Sequence, residues 1–128
     1  MSALSSKLRS MAFDAEGTVT GVGWYCPGCK TRHGIATDGP PGTTRPIWGW
    51  NRDVNAPTFT PSVLTTREMG HPPVTAENLA EYKSNPWPQT KVKHVCHVFI
   101  TDGQIQFLSD CTHELAGQTV PMPDWEQP

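Results

Sequence analysis

Two thiols in a tight knuckle near the front of the chain and two more far downstream limit what this sequence can fold into. Cys26-Pro27-Gly28-Cys29 forms the knuckle; Cys96 stands beside His97, and Cys111 two residues before His113. A two-residue spacer lets both thiolates of a CxxC reach one ion, while amide groups of the turn stabilise the sulfur charge. The pattern predicts that residues 26–29 and 96–113 meet around one tetrahedral metal, and zinc is the ion suited to four Cys/His donors. A redox CxxC would instead start a long helix that lowers the first thiol's pKa. Gly34, Gly39, Pro40, Pro41 and Gly42 exclude such a helix here.

Cys26, Cys29 and Cys96 are the first three candidate ligands, with Cys111 or His113 as the fourth. His33, four residues after Cys29, is a further candidate; His71 and His94 read as surface residues. A metal would suit this composition. The chain has 128 residues, enough for one domain, with 13 Pro, 11 Gly and only 36% hydrophobic residues. Long loops then need an anchor besides core packing. A structural zinc brings apparent binding energy on the order of 10–16 kcal/mol, large beside a typical net stability of about 5–15 kcal/mol.

Charge and hydropathy remove several function classes. The formal net charge is -2, and the ten basic residues are scattered, so there is no electrostatic footprint for nucleic acid. Residues 1–10 lack the apolar run of a secretion signal, and no segment approaches the roughly 20 apolar residues of a membrane span. The expectation is a cytoplasmic chain, where thiols stay reduced and clustered cysteines mean metal.

Local patterns give the fold class. Leu4, Leu8 and Met11 have helical spacing, so residues 1–17 read as a flexible or short helical start. Residues 18–25 and 33–37 read as strands flanking the knuckle, and 45–51 as extended. The prolines of the 56–62 segment push it into extended conformation outside a central sheet, and Val63 to Thr66 could pair as a strand. Residues 40–88, rich in proline, read as an irregular excursion with one helix over 76–83, capped by Thr75. The strongest signal is Asp102-Gly103, a type I′ turn joining strands 91–101 and 104–108. The class is mainly β (small α+β): zinc-ribbon-like hairpins, one domain over 18–120, and a tail over 121–128 that packs through Trp125.

The hairpin also sorts side chains by face. Ile100, Val98, Cys96, Ile105, Phe107 and Cys111 share the apolar side by alternation, and His113 has the parity of Cys111. His97 and Asp110 share the other side, where a carboxylate can orient an imidazole. They are either a mutually satisfied polar pair or a general base with its partner. Trp48, Trp50, Asn51 and Asp53 form a polar-aromatic group, read as core packing or as a ligand-binding rim.

The blocks W-Y-C-P-G-C-x₃-H, W-G-W-N-x-D-x₃-P-T-F-T-P-S and V-C-H-V-F-I-x-D-G-x-I-Q-F-L-S-D-C-T-H-E-L-A-G-Q-T-V-P-M-P cover roughly residues 20–123. In that order they resemble a family of unknown function found in phages and prophages, sometimes mislabelled ammonia monooxygenase. Relatives are encoded beside bacterial ubiquitin-like conjugation enzymes. The resemblance implies a metal-binding domain and matches this chain at Cys26, Cys29, His33, Trp48, Trp50, Asn51, Cys96, His97, Asp110 and His113. Some relatives carry serine where this chain has Cys111, which tilts the fourth ligand toward His113. Two functional readings follow. The first is a zinc-binding accessory protein whose metal is structural and whose partner is another protein. The second is a small zinc hydrolase with an open metal position, His97 or Asp110 as general base, and Trp48 and Trp50 lining the pocket.

Overall fold

The turn at Asp102-Gly103 organises the largest sheet. Both residues take positive φ, 49° and 75°, as a type I′ turn requires. In the computed structural model, which describes residues 2–126, this turn joins strands Thr90–Thr101 and Gln104–Phe107. Their register pairs Ile100 with Ile105 and Val98 with Phe107, as the hairpin pattern predicts.

In chain order the elements are β1 (Arg9–Ala12), β2 (Thr20–Cys26), β3 (Thr31–Asp38), β4 (Gly49–Trp50) and β5 (Phe59–His71). Helix α1 (Leu79–Ser84), β6 (Thr90–Thr101), β7 (Gln104–Phe107) and β8 (Thr119–Pro121) follow. They make a three-stranded sheet, β1-β2-β3, and a five-stranded sheet, β4-β5-β6-β7-β8. All neighbouring pairs are antiparallel. The fold is mainly β with one short helix. No helix among the described residues is long and apolar enough to cross a membrane.

One core joins the two sheets. Leu8, Val22, Trp24, Cys26 and Ile35 from the smaller sheet and its lead-in pack with Phe59, Val63, Cys96, Val98, Ile100, Ile105 and Phe107 from the larger. The Trp24 and Phe59 rings stack 5.6 Å apart at 24° across this boundary.

Several segments depart from their sequence patterns. Residues 9–12 form an edge strand on β2 rather than a helical turn. An isolated helix of that length is marginal, whereas pairing satisfies an open sheet edge and buries Leu8 completely. The proline-containing 56–62 segment does not stay outside the sheet. Its second half begins β5, which lies between β4 and β6, and the strand runs on to His71. Pro61 is tolerated because the ladder is irregular there: Phe59 pairs with Ile100 and Val63 with Val98, so residues 60, 61 and 62 stand opposite Phe99 alone. Helix α1 starts at Leu79, after Asn78, because the Asn78 Oδ1 accepts the Thr75 N–H at 2.7 Å and holds the preceding residues in a turn. The tail packs through more than Trp125. Met122 is also buried, and β8 adds a strand beside β7, while Arg32 bonds the Trp125 carbonyl at 3.1 Å.

Because Trp24 is 1% exposed and bridges the sheets, Trp24→Ala is expected to destabilise the fold by about 3–5 kcal/mol. Urea denaturation followed by tryptophan fluorescence or circular dichroism measures this. A loss below about 1 kcal/mol would show that the sheets do not depend on this contact.

Candidate active site and candidate metal centre

Strand β6 carries different chemistry on each face. Alternation turns Cys96 into the core and His97 to the opposite side, across from Thr65 and Leu64 of β5 respectively.

On the inner face, the Cys26 and Cys96 sulfurs lie 3.8 Å apart. Two thiolates on one tetrahedral zinc, each at about 2.3 Å, would be separated by about 3.8 Å. Cys26 ends β2, and the knuckle turns so that the Cys29 N–H points at the Cys26 sulfur, 3.4 Å away, while the Lys30 N–H closes the turn on the Cys26 carbonyl. His33 enters from β3. The ligand atoms of Cys26, Cys29, His33 and Cys96 all lie within 4.8 Å of one another, close enough to hold a metal ion. The His33 Nε2 is buried with no hydrogen-bond partner, which fits a nitrogen whose partner is an ion.

The three thiols of this cluster are shifted in opposite directions. The Cys96 S–H lowers the Cys26 pKa, overcoming the opposing effect of burial. Cys96 is pushed up, first by donating to Cys26 and then by burial, and Cys29 is pushed up by burial and by the negative charge on Cys26. A bound divalent ion supplies the positive charge that lets all three thiols ionise together.

A second group shares Cys96: its ligand atom, those of Cys111 and His113 also lie within 4.8 Å of one another. The His113 ring stands edge-on to Phe107, at 4.8 Å, and its Nδ1 accepts the Leu115 N–H. Its Nε2 is buried without a hydrogen-bond partner. The ring also rests on Gly28, where an added Cβ would come within 2.3 Å of His113 Cε1. The glycine of the knuckle is therefore needed for His113 to reach this position. A cavity of about 270 Å³ opens beside the cluster, lined among others by Cys29, His33, Cys96, His113, Arg67 and His94.

The outer face holds a different arrangement. His97 Nδ1 lies 3.1 Å from Asp110 Oδ2, and His97 Nε2 lies 3.0 Å from Ser62 Oγ. The imidazole thus joins a hydroxyl on one side to a carboxylate on the other. Ser62 reaches it from the irregularity in β5, where a bulge re-aims a side chain. The Trp48 indole N–H donates to the Ser62 carbonyl at 3.2 Å and anchors that bulge. Asp110 comes from the turn after β7. The chain there stays attached to β6, with the Leu108 N–H on the His97 carbonyl at 2.9 Å and the Thr112 N–H on the Val95 carbonyl at 3.0 Å. The His97 and Asp110 side chains are 26% and 56% exposed, so the relay is open to solvent.

The structure brings Cys26, Cys29 and Cys96 together with His33, and separately places Cys111 and His113 beside Cys96. It sets His97 against Asp110. Trp48 and Trp50 pack against the core, and Asn51 serves the loop before β5: its Oδ1 accepts the Asp53 and Thr58 N–H groups, and its Nδ2 bonds the Ala56 carbonyl. Sequence reasoning passed over Ser62. It sits in no G-x-S-x-G elbow, and only the pairing of β5 with β6 carries it to His97.

Residues 3–108 match the model of a family described as the bacterial ubiquitination-like system serine protease, BubE. The chain belongs to the BubE family. The matched region includes Ser62 and His97 and all four residues of the Cys26 group, and stops two residues before Asp110. This family accords with the expected link to ubiquitin-like conjugation. No curated protein and no solved structure matches the chain.

If the Cys26 group holds a metal, purified protein is expected to contain about one ion per chain by elemental analysis. Cys26→Ser and Cys96→Ser should each lower that content below half and reduce the melting temperature. Gly28→Ala, which forces the His113 ring off the knuckle, is expected to lower the melting temperature as well.

Proposed function

We propose that this chain is a serine protease of a ubiquitination-like system, with Ser62 as nucleophile, His97 as general base and Asp110 as the carboxylate that orients it. The observation that carries this reading is the relay from Ser62 Oγ to His97 Nε2 at 3.0 Å and from His97 Nδ1 to Asp110 Oδ2 at 3.1 Å. A Ser-His-Asp constellation is recognised by such geometry and roles, whatever the order of the residues in the chain. The description of the BubE family supports the same chemistry.

The steps follow from the relay. Ser62 Oγ bonds to the substrate carbonyl carbon as its proton passes to His97 Nε2. The tetrahedral intermediate collapses, the bond to the leaving group breaks, and that group takes the proton from Nε2. Water then attacks the Ser62 ester with His97 again accepting a proton, and the carboxylic acid and free Ser62 are released. Asp110 holds the Nδ1–H tautomer and stabilises the imidazolium formed in each half. A mutually satisfied His–Asp pair would need neither the third partner nor the exposure seen here.

The ion proposed for Cys26, Cys29, His33 and Cys96 is zinc, in a structural role, because four protein donors leave no open coordination position. When bound it ties the β2–β3 hairpin to β6. His97 commits both ring nitrogens to Ser62 and Asp110 on the side away from Cys96, which favours the serine route over a metal-bound hydroxide. The expected protein partner is then the substrate itself, met in the cytoplasm, where the thiols stay reduced.

A fluorophosphonate probe tests this directly. Wild-type protein is expected to be labelled at Ser62, Ser62→Ala to be unlabelled, and Asp110→Asn to react about 10⁴-fold more slowly with its fold intact. Equal labelling of wild type and Ser62→Ala would sink the reading.

A further inference from the structure

We propose that Cys111 is a positioning residue of the Ser62–His97–Asp110 relay, holding His97 by its backbone, and is not a ligand of the metal. The inference rests on the serine-protease reading. The β6–β7 ladder ends at the pair Val98–Phe107, and the chain then turns through Ser109 and Asp110. Beyond that point the Leu108 N–H still bonds the His97 carbonyl at 2.9 Å, but no β7 residue pairs with the His97 N–H. The Cys111 sulfur takes that place. It accepts the His97 N–H at 3.2 Å, and its S–H donates to the His97 carbonyl at 3.3 Å.

Both bonds fall on the residue that carries the general base. Cys111 is also joined by one peptide bond to Asp110, the other partner of that base. A single buried side chain therefore fixes the backbone of His97 and the carboxylate that orients its ring relative to each other. Thr112 continues the attachment, accepting the Val95 N–H on its hydroxyl at 3.0 Å. Without the thiol, Asp110 would hang from a turn held only by its flanks.

The Cys26 group needs no donor from Cys111. Cys26, Cys29, His33 and Cys96 already supply four donors, whereas the group containing Cys111 supplies three and borrows Cys96 to do so. Hydroxyl and thiol have the same pattern of one donor and lone-pair acceptors, so serine at 111 can make both bonds and alanine neither.

The experiment compares wild type, C111A and C111S by three readouts: metal per chain, rate of fluorophosphonate labelling at Ser62, and the downfield proton resonance of His97 Nδ1–H. Metal content is expected to be unchanged in both variants. Labelling of C111A should slow by about 10- to 100-fold, the size of effect that follows a small misplacement of catalytic groups. The His97 resonance should shift or broaden in C111A, and C111S should restore both rate and resonance. Loss of metal in either variant would make Cys111 a ligand and overturn the proposal. Labelling of C111A at the wild-type rate, with Ser62→Ala inert, would also overturn it while leaving the protease reading intact. Failure of wild type to label would bring down the protease reading and this inference with it. Should C111A melt below the assay temperature, C111V, which fills the space without either bond, replaces it and carries the same expectations.

Discussion

The contact between Cys26 and Cys96 is the interaction on which the remaining architecture depends. It joins the end of β2, in the small sheet, to the middle of β6, in the large one, across 70 residues of sequence. The stack of Trp24 on Phe59 crosses the same boundary, as do the Trp48 N–H bonded to the Ala36 carbonyl and the ion pair of Arg52 with Asp38. A chain with few apolar residues and many prolines has a modest core, so a metal clamp between its sheets would contribute as much as the packing does.

The candidate metal cluster and the Ser62–His97–Asp110 hydrogen-bond relay meet at adjacent residues of one strand. Cys96 is held from inside, and His97, one residue on, projects outward with its position inherited from that hold. The relay adds its own restraints from both neighbouring segments: the β5 bulge brings Ser62, and the 108–112 segment brings Asp110. An arrangement built on a central strand with partners on both sides is more rigid than one built on loops. The exposed relay is therefore compatible with fixed geometry.

Much of this was legible in the sequence, and the parts that were not share one cause. The strands flanking CPGC and the hairpin at Asp102-Gly103 follow from signals a few residues long, and both stand where those signals put them. The opposition of Cys96 and His97 followed from alternation alone. Its spacing from Cys29 marks His33 as a candidate ligand, but it joins the Cys26 group only because β2 and β3 pair closely enough to bring it back over the knuckle. Ser62 was invisible because its meeting with His97 depends on a local mismatch in the β5–β6 register, which no property of Pro61 or Ser62 announces. The strand at residues 9–12 failed to show for a related reason: a sheet edge elsewhere supplied the partner that helical spacing could not foresee.

Strand β6 has no idle side. In most antiparallel strands at a protein surface, one face is solvent-facing and tolerant, so a slip or insertion there costs packing on the other face alone. A shift of one residue in β6 would send Cys96 outward and His97 into the core, dismantling the candidate metal site and the hydrogen-bonded relay in the same event. Change in chain length is thus confined to what joins the strands. The 72–89 connection between β5 and β6 is suited to absorb it, since helix α1 within it buries none of its residues. The molecule is divided into a stretch where sequence length is fixed to the residue and a stretch where it is free.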